Sequence, residues 1–255
     1  MPNHNPLKRA FSEGRKAFGL WATLPDPFAV ELMAGGGFDY VCVDRQHGLI
    51  GYETLVSMLR AAENAGLAPL TRVTQNSPAE IMRSLDAGAL GVIVPLVNTP
   101  EEAARAVAAC RFPPRGERSY GPIRAAGVLG SGSPEHLAGE VLCLAMIETR
   151  EGLANVEEIA ATPGLDGIYV GPADLALSLG LEPASAGENP EHRKAVQRIR
   201  DACHRSGIAA GMHGSSGGEA REYAEQGFDF ATAAVDAYLL ADAAQREAAQ
   251  ARRRD

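Results

Sequence analysis

Cysteine, tryptophan and lysine are scarce in this chain of 255 residues, and clusters of basic charge are almost absent. The four cysteines, Cys42, Cys110, Cys143 and Cys203, stand far apart and form no C-x-x-C pair. That spacing excludes a zinc-ribbon pattern and a dense disulfide framework, and leaves buried thiols in a reducing compartment as the simplest reading. The one basic run, Arg252-Arg253-Arg254, reads as a solvated helix end, where cations suit the helix dipole. A net charge of −8 without a basic face argues against nucleic acid as a partner. No stretch approaches the ~20 apolar residues of a membrane span. Residues 1–16 are polar and lack the apolar centre of a secretion signal. These absences predict a soluble, cytoplasmic protein.

What is present is an alternation. Short apolar runs at 18–23, 40–43, 68–73, 91–97, 141–147, 167–170, 208–212 and 228–235 are each followed by a helix-like segment. The helices carry their own punctuation. Pro27 opens one that Gly35-Gly36-Gly37 closes, and Ser77-Pro78-Ala79-Glu80 supplies a cap, a first-turn proline and a third-position acid. Further helices are expected at 52–64, 100–110, 149–161 and 190–206 and from 237 onward, while 113–139 reads as a long polar connection rich in glycine and proline. Alternating β and α argues for parallel strands joined by right-handed crossovers. Eight such units predict an α/β fold, a single (β/α)₈ TIM barrel filling residues 1–255 as one domain. An open doubly wound sheet is the alternative.

In a barrel of this kind chemistry gathers where strands end and the following loops begin. The polar residues at those points are Asp44, Gln46 and His47 after the second run, Arg72 in the third, Glu148 after the fifth, Asp174 after the sixth and His213 after the seventh. Two carboxylates from neighbouring strands, Glu148 and Asp174, suit a hard divalent cation; each equally suits a helix N-terminus. Arg72 could hold an anionic oxygen or form a structural ion pair. Asp44 could orient His47 as a general base, or His47 could be an ordinary loop histidine. Gly171-Pro172-Ala173-Asp174 opens a helix whose first N–H groups could take a carboxylate or a phosphate. His213 has the weaker case, and His4, His136, His192 and His204 read as surface or loop residues.

Asp44-x-Gln46-His47, Arg72, Ile147-Glu148-Thr149-Arg150-Glu151 and Gly171-Pro172-Ala173-Asp174-Leu175 together resemble the HpcH/HpaI class II pyruvate aldolases, in order and spacing, from Gly19-Leu20-Trp21 to Ala234-Val235-Asp236. The resemblance implies a barrel that reversibly cleaves 4-hydroxy-2-oxo acids to pyruvate and an aldehyde. It implies a divalent metal, Mg²⁺, Mn²⁺ or Co²⁺, on Glu148 and Asp174, and Arg72 on the keto oxygen. Gly171, Pro172, Ala173 and Asp174, with Gln46, would bind substrate, and Asp44 and His47 would move the aldol proton. Many relatives carry Glu where Gln46 stands, which puts the proton path in question. Lys8, Lys16 and Lys194 are the lysines of the chain, and none follows a core strand, which argues against an imine route. The segment 115–125 resembles the family's loop over the site, with Arg118, Tyr120 and Arg124 as candidates for aldehyde selectivity or as solvated surface groups. The resemblance also implies a homo-oligomer, a hexamer, with the alanine-rich C-terminal helix as one contact. Decarboxylation of a 2-oxo acid on the same site, or a non-catalytic 2-oxo acid binding protein, are the alternative functions.

Overall fold

A strand buried on both faces needs an almost continuous apolar run, and each of the eight strands has one. In the computed structural model, which describes residues 3–253 (the side chains of 184–186 excepted), they are β1 (Ala17–Ala22), β2 (Tyr40–Asp44), β3 (Ala68–Arg72), β4 (Gly91–Val94), β5 (Leu142–Ile147), β6 (Gly167–Val170), β7 (Ala209–Met212) and β8 (Phe230–Val235). Every neighbouring pair is parallel, in chain order, and β8 pairs with β1 to close the sheet. Closure removes the open doubly wound alternative. The β2–β3 register places Asp44 beside Arg72, so the last residues of two strands are level.

The barrel interior is filled rather than hollow. Trp21, Tyr40, Tyr169 and Phe230 pack with Leu70 and Met146. Burying a large apolar side chain contributes about 2–3 kcal/mol. The space for Tyr40 comes from Gly19, where a Cβ would lie 2.1 Å from the ring. Helices cover the outside through two further apolar clusters. All four cysteines are free and buried, as expected. Among the described residues no helix is long and apolar enough to cross a membrane.

Two departures from expectation shape the N-terminal end of the barrel, the end where strands begin, and others lie elsewhere. The polar leader forms a helix, Pro6–Ser12, capped by Asn5, whose side chain accepts from the amides of Leu7 and Lys8. Leu7 is buried and Phe11 lies 5.1 Å from Phe230, so this helix plugs the barrel mouth. The connection at 113–139 carries the helix Ile123–Leu129 and most of Pro134–Glu140. It follows the helix Pro100–Cys110 and precedes β5, which places it at this same end. The helix expected at 149–161 is broken into Arg150–Ala154 and Val156–Ala160. Ser77 occupies its cap position but makes no side-chain capping bond. At the other end of the chain Arg252 closes the last helix, with Arg253 exposed beyond it; Arg254 lies outside the described residues.

The seam between β8 and β1 is held at the rim by one carboxylate. Buried Asp236 accepts from the Thr23 amide and hydroxyl and from the Leu24 amide, at 2.7–2.9 Å.

Candidate active site

Because parallel strands all end on one side, the residues at their C-terminal ends converge. Asp44, Arg72, Glu148 and Asp174 line one cavity of about 250 Å³, with Trp21 and His47 at its wall. Thr23, Val235 and Tyr238, with His213 after β7, complete the side formed by β1, β7 and β8. A closed apolar crevice beside Arg118, at the opposite end, has no room for a water molecule.

Asp44 is the most heavily bonded group. It accepts from Arg72 Nε at 2.8 Å and Nη2 at 2.5 Å, from Trp21 Nε1 at 3.2 Å, and from the backbone amides of Gln46 and His47. Burial works against its charge, but the Arg72 pair outweighs it and holds the carboxyl below the usual range. The same pair lifts Arg72 above its ordinary value despite burial. Asp44 therefore meets His47 through the main chain, not through the imidazole, and its bidentate partner is Arg72. His47 itself is exposed at the cavity wall. Arg72 Nη1 has the Met146 sulfur as its neighbour at 3.9 Å, and both residues line the cavity.

Glu148 is 2% exposed. One oxygen accepts from the Leu96 amide at 2.8 Å. Leu96 delivers that N–H from a left-handed backbone, φ 54°, a strained conformation for a branched side chain. Burial pushes the Glu148 carboxyl up to about 7, and the charge of Asp174 adds to the rise. Gly171 makes the close approach of β6 possible, since a Cβ there would stand 2.7 Å from Glu148 Oε2. The Gly171 N–H is already bonded to the Ile147 carbonyl, and Pro172 has none. The free first-turn amides of the helix Pro172–Ser178 are thus those of Ala173 and Asp174.

Two acids at one cavity, Asp174 exposed and Glu148 buried and forced toward neutrality, form a donor set of hard oxygens that a divalent cation would relieve. The arrangement brings two carboxylates, a guanidinium and two free amides to one cavity.

The match to known proteins covers the barrel: residues 17–243 fit the model of the HpcH/HpaI aldolase/citrate lyase family. The chain belongs to this family. It is similar to the hydroxypyruvate/pyruvate aldolase of Rhizorhabdus wittichii, 42% identical over 248 residues, covering 97% of this chain and 99% of the relative. It is also similar to the 4-hydroxy-2-oxo-heptane-1,7-dioate aldolase of Salmonella typhimurium, 35% identical over 249 residues, covering 96% and 94%. The crystal structure of an HpcH/HpaI aldolase/citrate lyase family protein from Burkholderia cenocepacia J2315 superposes with a TM-score of 0.89 at 34% identity, covering 98% and 100%.

Against this HpcH/HpaI frame several sequence expectations change. Gln46 does not line the cavity, and its side-chain oxygen is buried without a partner. Arg118, Tyr120 and Arg124 stand at the opposite end of their own barrel, bonded to Asp86, the Gly132 carbonyl and Glu63. They do not cover this cavity. His192 is not a surface residue: it is buried on the helix Pro190–Ser206, and its Nε2 lies 3.0 Å from the Pro172 carbonyl, bracing the turn that bears Asp174. Burial pushes its pKa down. His213 belongs to the cavity. Its Nδ1 lies 3.3 Å from the Tyr169 hydroxyl, its ring meets Trp21 edge-on, and burial pushes its pKa down to about 4. It is a neutral polar group throughout the physiological range.

Proposed function

We propose that the protein is a class II pyruvate aldolase, a lyase that reversibly cleaves 4-hydroxy-2-oxo acids to pyruvate and an aldehyde. The observation that carries this reading is that Glu148 and Asp174, from adjacent strand ends, share one cavity with Arg72. The names of the relatives point to the same chemistry.

Glu148 and Asp174 would hold a divalent cation, Mg²⁺, Mn²⁺ or Co²⁺, which supplies Lewis acidity toward the 2-oxo acid when bound. The amides of Ala173 and Asp174, set by the Gly171-Pro172 turn, hold the substrate carboxylate. His47, at the cavity wall, takes the proton of the C4 hydroxyl. The C3–C4 bond then breaks, the aldehyde departs, and the electron pair left on C3 spreads onto the 2-oxo oxygen as the pyruvate enolate. Arg72 Nη1 faces that gathering charge, and a preorganised donor of this kind contributes roughly 3–4 kcal/mol. Asp44 holds the guanidinium in place through its two bonds and does not touch the reacting atoms. Protonation of C3 completes pyruvate. The barrel is read as a (β/α)₈ TIM barrel. The exposed Tyr238, Leu239 and Leu240 on the last helix support association with further copies of the chain, a homo-oligomer.

Purified protein is expected to release pyruvate from a 4-hydroxy-2-oxo acid, to stop when EDTA is added, and to recover with Mg²⁺ or Mn²⁺. Turnover that persists in EDTA and is trapped by borohydride would overturn the proposal in favour of an imine enzyme.

A further inference from the structure

His4, His136 and Glu140 lie together at the N-terminal end of the barrel, away from the cavity described above. His136 and Glu140 are four residues apart on the helix Pro134–Glu140, hence on one face of it. His4 comes from the segment just before the plug helix, and its Nδ1 lies 2.9 Å from Glu140 Oε1. The two imidazole rings meet edge to face at 5.6 Å. One donor atom from each of the three residues lies within 4.8 Å of the others. Donors bound tetrahedrally at ~2.0–2.1 Å from a metal stand roughly 3.3 Å apart. Small side-chain rotations bridge that difference, and no helix needs to move.

The surroundings hold the three groups in place. Glu140 gives its second oxygen to the Asn5 amide at 2.7 Å, so Oε1 is the one directed at His4. The Asn5 side chain donates to the carbonyls of Glu140 and Leu90, fixing the backbone on both sides. Backbone hydrogen bonds pull the Glu140 carboxyl below its ordinary range together with His4 and His136, although burial opposes this. His136 Nε2 stands 3.0 Å from the Asn3 carbonyl. A ring that donates from Nε2 to a carbonyl keeps its lone pair on Nδ1, the way metal-binding histidines are commonly oriented by their outer partners. Asn3 is itself tied to Leu129 and Val128.

We propose that His4, His136 and Glu140 bind a divalent transition cation of the Zn²⁺, Ni²⁺ or Co²⁺ class. Two imidazoles and one carboxylate favour such borderline ions over Mg²⁺ and Ca²⁺, which prefer oxygen donors throughout. The site therefore differs in kind from the all-carboxylate pair of the cavity. Exposed His4 leaves a coordination position to water. The ion fastens the leading residues to the helix Pro134–Glu140, so it acts on stability and not on the chemistry at the other end.

The test is Zn²⁺ titration of the metal-free full-length protein carrying Glu148→Gln and Asp174→Asn, which removes uptake by the cavity. That protein is expected to take up an equivalent of Zn²⁺ at micromolar concentration and to melt at a higher temperature with it, as any ligand of the folded state requires. Adding His4→Ala and His136→Gln is expected to abolish both effects. His136→Gln keeps an N–H for the Asn3 carbonyl, which separates loss of metal from loss of fold. In the otherwise native chain the two histidine substitutions should leave Mg²⁺-supported turnover unchanged. Absence of Zn²⁺ uptake by the cavity variant, or uptake that survives the histidine substitutions, would overturn the proposal.

Discussion

At the N-terminal end of the barrel Arg111 and Lys8 share Asp166, Lys16 meets Asp229, Arg118 meets Asp86 and Arg124 meets Glu63. At the C-terminal end Glu148 and Asp174 share a cavity whose arginine, Arg72, is already bound to Asp44. The first end pairs each of these charges with an opposite one and is closed by the plug helix and the two helices that span 123–140. The second holds two acids in one cavity, one of them buried with its pKa raised and bonded to the amide of a strained Leu96. The same strands build both ends. The difference is one of pairing: at the first end each of these acids meets at least one base, while at the second two acids face one arginine that a third acid already holds.

The comparison breaks most visibly at the acids. Glu148→Ala or Asp174→Ala is expected to lower metal-dependent turnover by about a thousandfold or more, the scale of losing a principal electrostatic contributor. Pyruvate release under saturating Mg²⁺ measures it, and an unchanged rate removes the residue from the site.

A smaller effect sharpens the difference in pairing. The Glu148 carboxyl titrates at about 7 when folded, against 4.5 for an ordinary glutamate. Folding therefore favours its protonated form, and this contribution is lost as pH rises from the ordinary value through about 7. Glu148→Gln escapes the loss. In chelator, the variant should gain roughly 2–3 kcal/mol on the native chain between pH 5 and pH 8, with the gain flattening above. Denaturant unfolding at each pH reads it, and parallel curves would mean that Glu148 is not destabilised.

The smallest effect belongs to the closed end. Asp86→Asn leaves Arg118, 1% exposed and stacked on Phe112, without its charged partner. A loss of about 1–3 kcal/mol in stability is expected, with kcat unaltered. A fall in kcat at constant stability would mean that the two ends are coupled.

How far the sequence reaches follows the same division. The strands were legible because each needs a short apolar run, and Glu148, Asp174 and Arg72 were legible because they stand where those runs stop. The helices Pro6–Ser12 and Pro134–Glu140 were not, since each is seven residues long and rests on distant partners: Phe230 for the first, Asn3 and Asn5 for the second. His192 reads as a surface or loop residue, and His213 as the weaker of the strand-end candidates, for a related reason. Their character comes from burial against Pro172 and Trp21, which no local pattern carries. The pairing of Asp44 with Arg72 was open to inference, because both residues end adjacent strands at the same level; the sequence left both an Asp44–His47 dyad and an Arg72 ion pair as readings, without choosing between them.

Asp236 joins the last strand to the loop after the first, and the cavity takes residues from Trp21 through Tyr238. The cavity is consequently incomplete in any unfinished polypeptide. While the ribosome is still adding the final strand, the wall made by Val235 and Tyr238 does not exist, however well the earlier units have formed. Synthesis and assembly of the pocket end together, so a truncated product lacking its final strand holds its acids and arginine in an open trough and not in a cavity.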